Sequence, residues 1–308
     1  MLTRRHLLTL SGAAGIAALL PDIVSAAIAK PIGPFRFCLN TSTISGQKPG
    51  LLKMIEIAAT AGYDGMELWV RDIEAYLQQG NTIASLNQLL RANNLRVENA
   101  ISFTEWMVDD DARRSAGIAT LEKEMKMMAE LGCRRIAAPP AGVSKDQPID
   151  FKKAGDRYRE TIVLGKKYGV MPLLEFWGAS GTVYNFSQAL AIAAAANDPD
   201  ARILPDVYHM FRGGSGFDCL NLVNGRVIDI IHMNDYPADK AAGEQTDADR
   251  VYPGDGAAPL KQILHTLKTM GGTKTLSLEL FNKTYWDQDP LLVAKTGLAK
   301  MKAVVNLV

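Results

Sequence analysis

The chain has 308 residues, of which 47% are hydrophobic and 22% charged, and its formal net charge is +1. That is enough apolar material for one large core and sets aside the disordered and membrane-spanning classes for the body of the chain. No block of lysine or arginine offers the phosphate-neutralising surface of a nucleic-acid binder, so a small neutral or mildly charged substrate is expected, with no nucleic acid.

Residues 1–30 read as an export signal. Thr3-Arg4-Arg5-His6-Leu7-Leu8 leads into an apolar stretch rich in Gly and Ala, Leu10 to Leu20, and then the small residues Ser25 to Ala29. The paired arginines point to the twin-arginine route, with Sec as the alternative, and so to a periplasmic or otherwise exported protein. The apolar stretch is shorter than the roughly 18 residues of a membrane span, so no stable insertion is expected after processing. Cys38, Cys133 and Cys219 are odd in number and far apart. They read as free thiols.

From Phe35 the chain alternates strand and helix patterns, which makes residues 31–308 one α/β unit. Phe35 to Leu39 is the first strand, followed by a helix over Leu51 to Ala61 that Gly62 stops. Met66 to Trp69 is a second strand carrying Glu67. A helix over Ile83 to Asn93 leads to a third strand, Arg96 to Phe103, which runs into Thr104-Glu105-Trp106.

Ala116 to Leu131 is a long helix whose Leu121, Met125, Met128 and Leu131 are spaced for one buried face. Cys133 to Pro139, Met171 to Glu175, Ala201 to Asp206, Val227 to Met233 and Thr275 to Leu280 are strands four to eight. Helices are expected over Phe151 to Tyr168, Ser187 to Ala196 with Ser187 as its cap, Pro259 to Met270 and Leu291 to Val305, with a short one near Asp218 to Leu222. Eight strand-helix units in about 250 residues predict a (β/α)8 TIM barrel. A doubly wound sheet lacks its G-x-G-x-x-G after the first strand. The long polar loop Asn234 to Gly256 is expected to be functional.

Four of the later strands end in a potential metal ligand: Glu175, Asp206, His232 and Glu279. In a βα barrel those ends converge on one rim, where two Glu, one Asp and one His make an oxygen-rich site for a divalent cation such as Mn, Mg or Co, with Zn as a further choice.

The stretches Ala61-Gly-Tyr-Asp-Gly-Met-Glu-Leu68, Leu174-Glu175, Pro205-Asp-Val-Tyr-His209, His232-Met-Asn-Asp235, Arg250-Val-Tyr-Pro-Gly-Asp-Gly256 and Leu278-Glu279 together resemble the xylose isomerase-like barrel superfamily. Within it they resemble the sugar isomerase/epimerase branch, which includes ketose 3-epimerases, hydroxypyruvate isomerases and inosose dehydratases. The resemblance runs from about Phe35 to the C-terminus. It implies one divalent ion held by Glu175, Asp206, His232 and Glu279, and an enediolate route in which Glu175 and Glu279 take and return the proton. It also implies that His209 and Arg250 bind substrate oxygens, and that family barrels pair or form tetramers, so a homo-oligomer is one expectation.

Asp235 is a candidate to orient His232 or a water. Glu67, Trp69, Glu105 and Trp106 are expected to line the pocket from the other half of the barrel, with Lys283 as a further contact; Glu67 and Glu105 read equally well as solvated or salt-bridged residues. Where ketose 3-epimerases have Glu-x-x-Asn, this chain has Glu175-Phe176-Trp177-Gly178-Ala179-Ser180-Gly181, an aromatic wall that argues against a free hexulose. The expected activity is therefore a metal-dependent sugar isomerase or epimerase, with a lyase or dehydratase on a keto-sugar, cyclitol or glycoside as the alternative. A non-catalytic sugar-binding barrel, or an endonuclease acting at apurinic sites, fits less well.

Overall fold

The computed structural model describes residues 34–144 and 148–308. The export signal expected over residues 1–30 lies outside them. In chain order the elements are β1 (Phe35–Asn40), α1 (Leu51–Ala61), β2 (Gly65–Trp69), α2 (Val70–Gln78), α3 (Ile83–Ala92), β3 (Arg96–Ile101), α4 (Asp111–Glu130), β4 (Arg135–Ala138) and α5 (Phe151–Tyr168). They continue with β5 (Met171–Glu175), α6 (Phe186–Ala196), β6 (Ile203–Leu204), α7 (Val207–Arg212), β7 (Ile230–Met233), α8 (Leu260–Thr269), β8 (Lys274–Leu278), α9 (Lys283–Trp286) and α10 (Pro290–Val305).

Every strand pairing is parallel, and the eight strands follow one another as the alternating pattern requires. The wall consists of two arcs. One is the five-stranded β3-β2-β1-β8-β7 and the other the three-stranded β4-β5-β6. At one seam the backbone N–H of His232 donates to the Pro205 carbonyl at 2.9 Å. At the other, no ladder joins β3 to β4 among the described residues. There the Arg135 guanidinium bridges, donating to the Glu98 carbonyl at 3.3 Å and to Asp229 at 3.1 Å.

The outward faces of the strands pack under the helices to form the main core, with Leu121, Met125, Met128 and Leu131 all buried in it. Inside the barrel the two arcs differ. The three-stranded arc and its neighbours contribute Ala137, Leu173, Leu204 and Ile230 beside Trp69 and Ile101. The five-stranded arc contributes the buried polar groups Asn40, Glu67, Asn99, His232 and Ser277. A bulge makes that polar half possible: the register of β2 against β3 shifts between Met66 and Glu67, so Asn99 rather than Glu98 lies opposite Glu67. Glu98 turns instead toward Arg36 and Arg135.

The differences from the sequence reading are local. α2, α7 and α9 are helices in stretches where the sequence reading placed no element, and β6 has only two ladder residues. α4 starts at Asp111 because the Asp110 carboxylate caps it by accepting the Arg113 N–H. Asn185, not Ser187, caps α6, accepting the Gln188 N–H. The loop after β7 is tied back by an antiparallel bridge between Asp235 and Val251. No helix among the described residues is long and apolar enough to cross a membrane.

Several charged residues are buried outside the cluster around His232, Glu124 among them. Glu124 on α4 accepts the Ser102 hydroxyl at 2.5 Å. Burial pushes its carboxyl up to about 7, against the Ser102 hydrogen bond and with help from Glu74. A carboxyl raised by folding binds its proton more tightly in the native state. Its stabilising effect is thus complete below the ordinary carboxylate range and is lost as pH rises to about 7. Glu124→Gln should therefore be more stable than the parent at pH 8, by about 3 kcal/mol, and equal to it near pH 4. Urea denaturation of both proteins at the two pH values checks this; a difference independent of pH would contradict it.

Candidate metal centre

β5 delivers its last residue, Glu175, to the rim, β7 its penultimate one, His232, and β8 the residue after its end, Glu279, while Asp206 follows the end of β6 by two residues. Asp206, His232 and Glu279 offer ligand atoms that all lie within 4.8 Å of one another, and all three are buried. His232 Nδ1 is 3.1 Å from Glu279 Oε2, 3.6 Å from Asp206 Oδ2 and 3.9 Å from Glu175 Oε1. The structure thus brings the four strand-end residues around one imidazole nitrogen. Glu175 stands farthest from it.

The imidazole is gripped from behind. Its Nε2 lies 3.1 Å from the Glu67 carboxylate, and Glu67 in turn accepts Asn99 Nδ2 at 2.6 Å, Ser277 Oγ at 2.6 Å and Asn40 Nδ2 at 2.8 Å. This satisfies one ring nitrogen and aims the other at the carboxylates. Nδ1 is buried and, despite its close neighbours, lacks the alignment of a hydrogen bond. A buried lone pair facing two or three carboxylates, with the opposite nitrogen held by a carboxylate, is the donor arrangement of a divalent-metal site. The residues fit such an ion. Burial opposes a charge on His232, yet Glu279 and Glu67 hold its pKa well above the ordinary value. Proton and metal would therefore compete for that nitrogen.

Asp206 is fixed by its place in the chain. It caps α7, Oδ1 accepting the His209 N–H at 2.9 Å, and it also accepts Asn234 Nδ2 at 3.2 Å. Burial would raise its pKa, but the Arg250 guanidinium holds it well below the carboxylate range. The cap sets His209 one turn into the helix, where its Nδ1 accepts the Gly178 N–H at 3.2 Å. Gly178 can come that close only without a side chain, since a Cβ there would sit 2.8 Å from the His209 carbonyl. Burial pushes the His209 imidazole down to about 4, so it is neutral at physiological pH.

Arg250 is almost fully buried and spans the site. Nη1 donates to Glu279 Oε2 at 2.7 Å and Asp206 Oδ2 at 3.0 Å, while Nη2 donates to Asp247 at 2.5 Å and lies 3.0 Å from His209 Nε2. Asn40 Nδ2 donates to the other oxygen of Glu279 at 3.0 Å. No side chain among the described residues hydrogen-bonds the Glu175 carboxylate, and burial together with Glu279, Glu67 and Asp206 pushes it up to about 8 against the pull of His232. Two carboxyls face one cavity in different settings. Glu279 is anchored and Glu175 is not.

That cavity measures about 510 Å³ and is lined by Glu175, Glu279, His209, Arg250 and Asp247 at its polar end and by Trp69, Trp177 and Phe281 among others at its apolar end. The chain belongs to the xylose isomerase-like TIM barrel family. The family profile matches residues 55–304. An inosose isomerase of Bacillus velezensis is 29% identical over 281 residues, covering 88% of this chain and 97% of that protein. A 3-dehydroshikimate dehydratase of Pseudomonas aeruginosa is 24% identical over 251 residues, 79% of this chain but only 38% of that longer protein. Among solved structures, an IolI protein with a bound zinc atom superposes with a TM-score of 0.81 at 25% identity, covering 88% of this chain and 98% of that one.

Several sequence expectations need correction within this family frame. Trp106 does not line the pocket: it is fully buried, its Nε1–H donating to the Pro139 carbonyl at 2.8 Å and its ring packed near Tyr158. Glu105 is bound by Arg113 at 2.6 Å away from the cavity. Glu67 is fully buried and holds His232 instead of touching the pocket. Asp235 does not orient His232; its carboxylate accepts the N–H groups of Tyr236, Gly254, Gly256 and Ala258 and shapes the following loop. Lys283 is exposed at the start of α9. Trp69 does line the cavity, and its Nε1–H donates to Asn40 Oδ1 at 3.0 Å.

The sequence reading missed Asn40, Asn99, Asn234 and Ser277, which hold the charged groups, and Phe103 and Phe281, which face the cavity. Alternation along the strands carried a signal for some of them. His232 points inward, so Asn234 two residues on does too, and Asp235 cannot.

Proposed function

We propose that this protein is a divalent-metal-dependent isomerase or epimerase of a keto-sugar or keto-cyclitol, working through an enediolate. The observation that carries the reading is the placement of Glu175 and Glu279, from strands three positions apart, in one cavity on either side of the His232 and Asp206 ligand atoms. The inosose isomerase relative supports a keto-cyclitol within that range.

A divalent ion held by Asp206, His232 and Glu279, with Glu175 completing the set, supplies positive charge for an oxygen that becomes anionic as its neighbouring carbon loses a proton. Arg250 offers a second fixed cation beside the same oxygens, and neutral His209 a group able to meet a hydroxyl. One glutamate removes the proton and the other returns it to the opposite face. The substrate's handedness decides which acts first. Trp69, Ile101, Val143 and Trp177 line the same cavity with largely apolar surface, which would limit water around the reacting carbon.

A dehydratase would use the same residues but expel a neighbouring hydroxyl from the enediolate. Proton NMR in heavy water distinguishes the outcomes, with ketoses, keto-sugars and inososes as the panel and Mn or EDTA as the paired conditions. Deuterium entry next to the carbonyl, dependent on Mn, is expected. A product that has lost water would favour elimination, and no exchange on any panel member with the metal bound would refute the enediolate reading.

A further inference from the structure

The cavity is chemically divided. Beside its charged groups, His209 and Ser180, the lining is apolar, led by Trp69, Ile101, Phe103, Val143, Trp177 and Phe281. The rings form a continuous array: Trp69 and Phe103 have centroids 5.2 Å apart, Phe103 and Trp177 6.0 Å, and Trp69 and Phe281 6.3 Å. Phe103 is 47% exposed although it sits inside this array. Its exposure has a geometric reason: a second cavity, about 430 Å³, lies against the same Trp69, Ile101 and Phe103, so the Phe103 ring divides two open spaces.

A free sugar is poorly served by such a lining. Each hydroxyl that leaves water needs a hydrogen-bond partner, and the aromatic half offers few. Aromatic faces instead reward a planar apolar group, which would cover Phe103 and Trp177 while a sugar ring occupied the carboxylate end. At about 510 Å³ the cavity also falls in the range that holds ligands larger than one sugar ring.

We infer that the aromatic half is a subsite for an aryl group joined to the sugar, so that aryl-substituted keto-sugars or keto-cyclitols are preferred as substrates over the free compounds. This rests on the proposed function for the carboxylate end of the same cavity. Phe103 and Trp177 are the specificity-determining residues, because both line the cavity and the side chain of neither hydrogen-bonds the metal-ligand network.

The test is titration calorimetry of the full chain, saturated with Mn, against methyl β-D-glucopyranoside, 4-nitrophenyl β-D-glucopyranoside and 4-nitrophenol. The nitrophenyl glycoside is expected to bind at least tenfold more tightly than the methyl glycoside, with 4-nitrophenol competing for its site. Phe103→Ala and Trp177→Ala should each cut that ratio to threefold or less; Phe103→Leu, which keeps apolar bulk without a ring, should cut it as well. Equal affinity for the two glycosides, no binding of either nitrophenyl compound, or a ratio unchanged in all three variants would overturn the subsite. Deuterium exchange, run in parallel on unsubstituted keto-sugars and on 4-nitrophenyl 3-keto-β-D-glucopyranoside, separates the two claims. Exchange without an aryl preference removes the subsite alone, and an aryl preference without exchange removes the enediolate reading alone.

Discussion

Replacing Glu279 with glutamine is expected to lower the rate of proton exchange by roughly 10²- to 10⁴-fold, the usual contribution of a positioned acid or base. The amide keeps the length of the side chain and one acceptor oxygen. It cannot keep both, and in the parent Asn40 and Arg250 donate to different oxygens of the carboxylate. One donor is therefore left facing an NH2 group, at a cost of about 1–3 kcal/mol. A domain this large loses only a few degrees of Tm per kcal/mol, so the protein stays folded. Glu279 is also a candidate ligand, which makes metal content the necessary second measurement. A folded variant that retains Mn and has lost exchange assigns the acid/base role to Glu279. Exchange at the parental rate excludes it.

Glu67 is expected to matter more for the protein's integrity than for any contact with substrate. Four donors converge on its carboxylate from β1, β3, β7 and β8, and none has access to water. Glu67→Ala would strip all four of their acceptor inside the barrel, a loss of about 3–5 kcal/mol by analogy with other broken buried charge clusters. Glu67→Gln keeps the volume but weakens the hold on His232 Nε2, and should lower metal affinity by about 10- to 100-fold. Guanidinium unfolding measures the first effect and competition with a chelator the second. A glutamine variant that binds Mn as tightly as the parent would show that Glu67 packs beside His232 without orienting it.

The barrel and its rim were legible because the relevant signal is local. A short branched apolar run ending in Glu175 or His232 fixes both the strand and the end at which the charge emerges. The opposite half of the pocket was not legible, for two physical reasons. The chain leaves β3 at Ile101, so Phe103 faces the cavity, whereas Trp106 turns back to reach Pro139. Nothing in Thr104-Glu105-Trp106 announces that turn. The bulge at Met66/Glu67 likewise exchanges the inward roles of Glu98 and Asn99, and strict alternation in β3 cannot anticipate it. The helices α2 and α7 were missed because α2 follows β2 directly, Trp69 to Val70, and only Pro205 and Asp206 separate β6 from α7, leaving little loop to mark a boundary.

The two-arc wall gives the metal site a mechanical meaning. Glu175 and Asp206 project from the three-stranded arc, His232 and Glu279 from the five-stranded one. An ion gripped by all four would rivet the arcs across the seam where, among the described residues, no ladder joins β6 to β7 and Asp206 pairs with His232 as an isolated bridge. Loading at a hundred times the dissociation constant adds about 2.7 kcal/mol to the folded state. That increment would be concentrated at the seam, so backbone amides around Pro205 and His232 should gain more protection from the ion than those in the β1-β8 ladder. Closing the barrel and arming it for chemistry would then be one thermodynamic event.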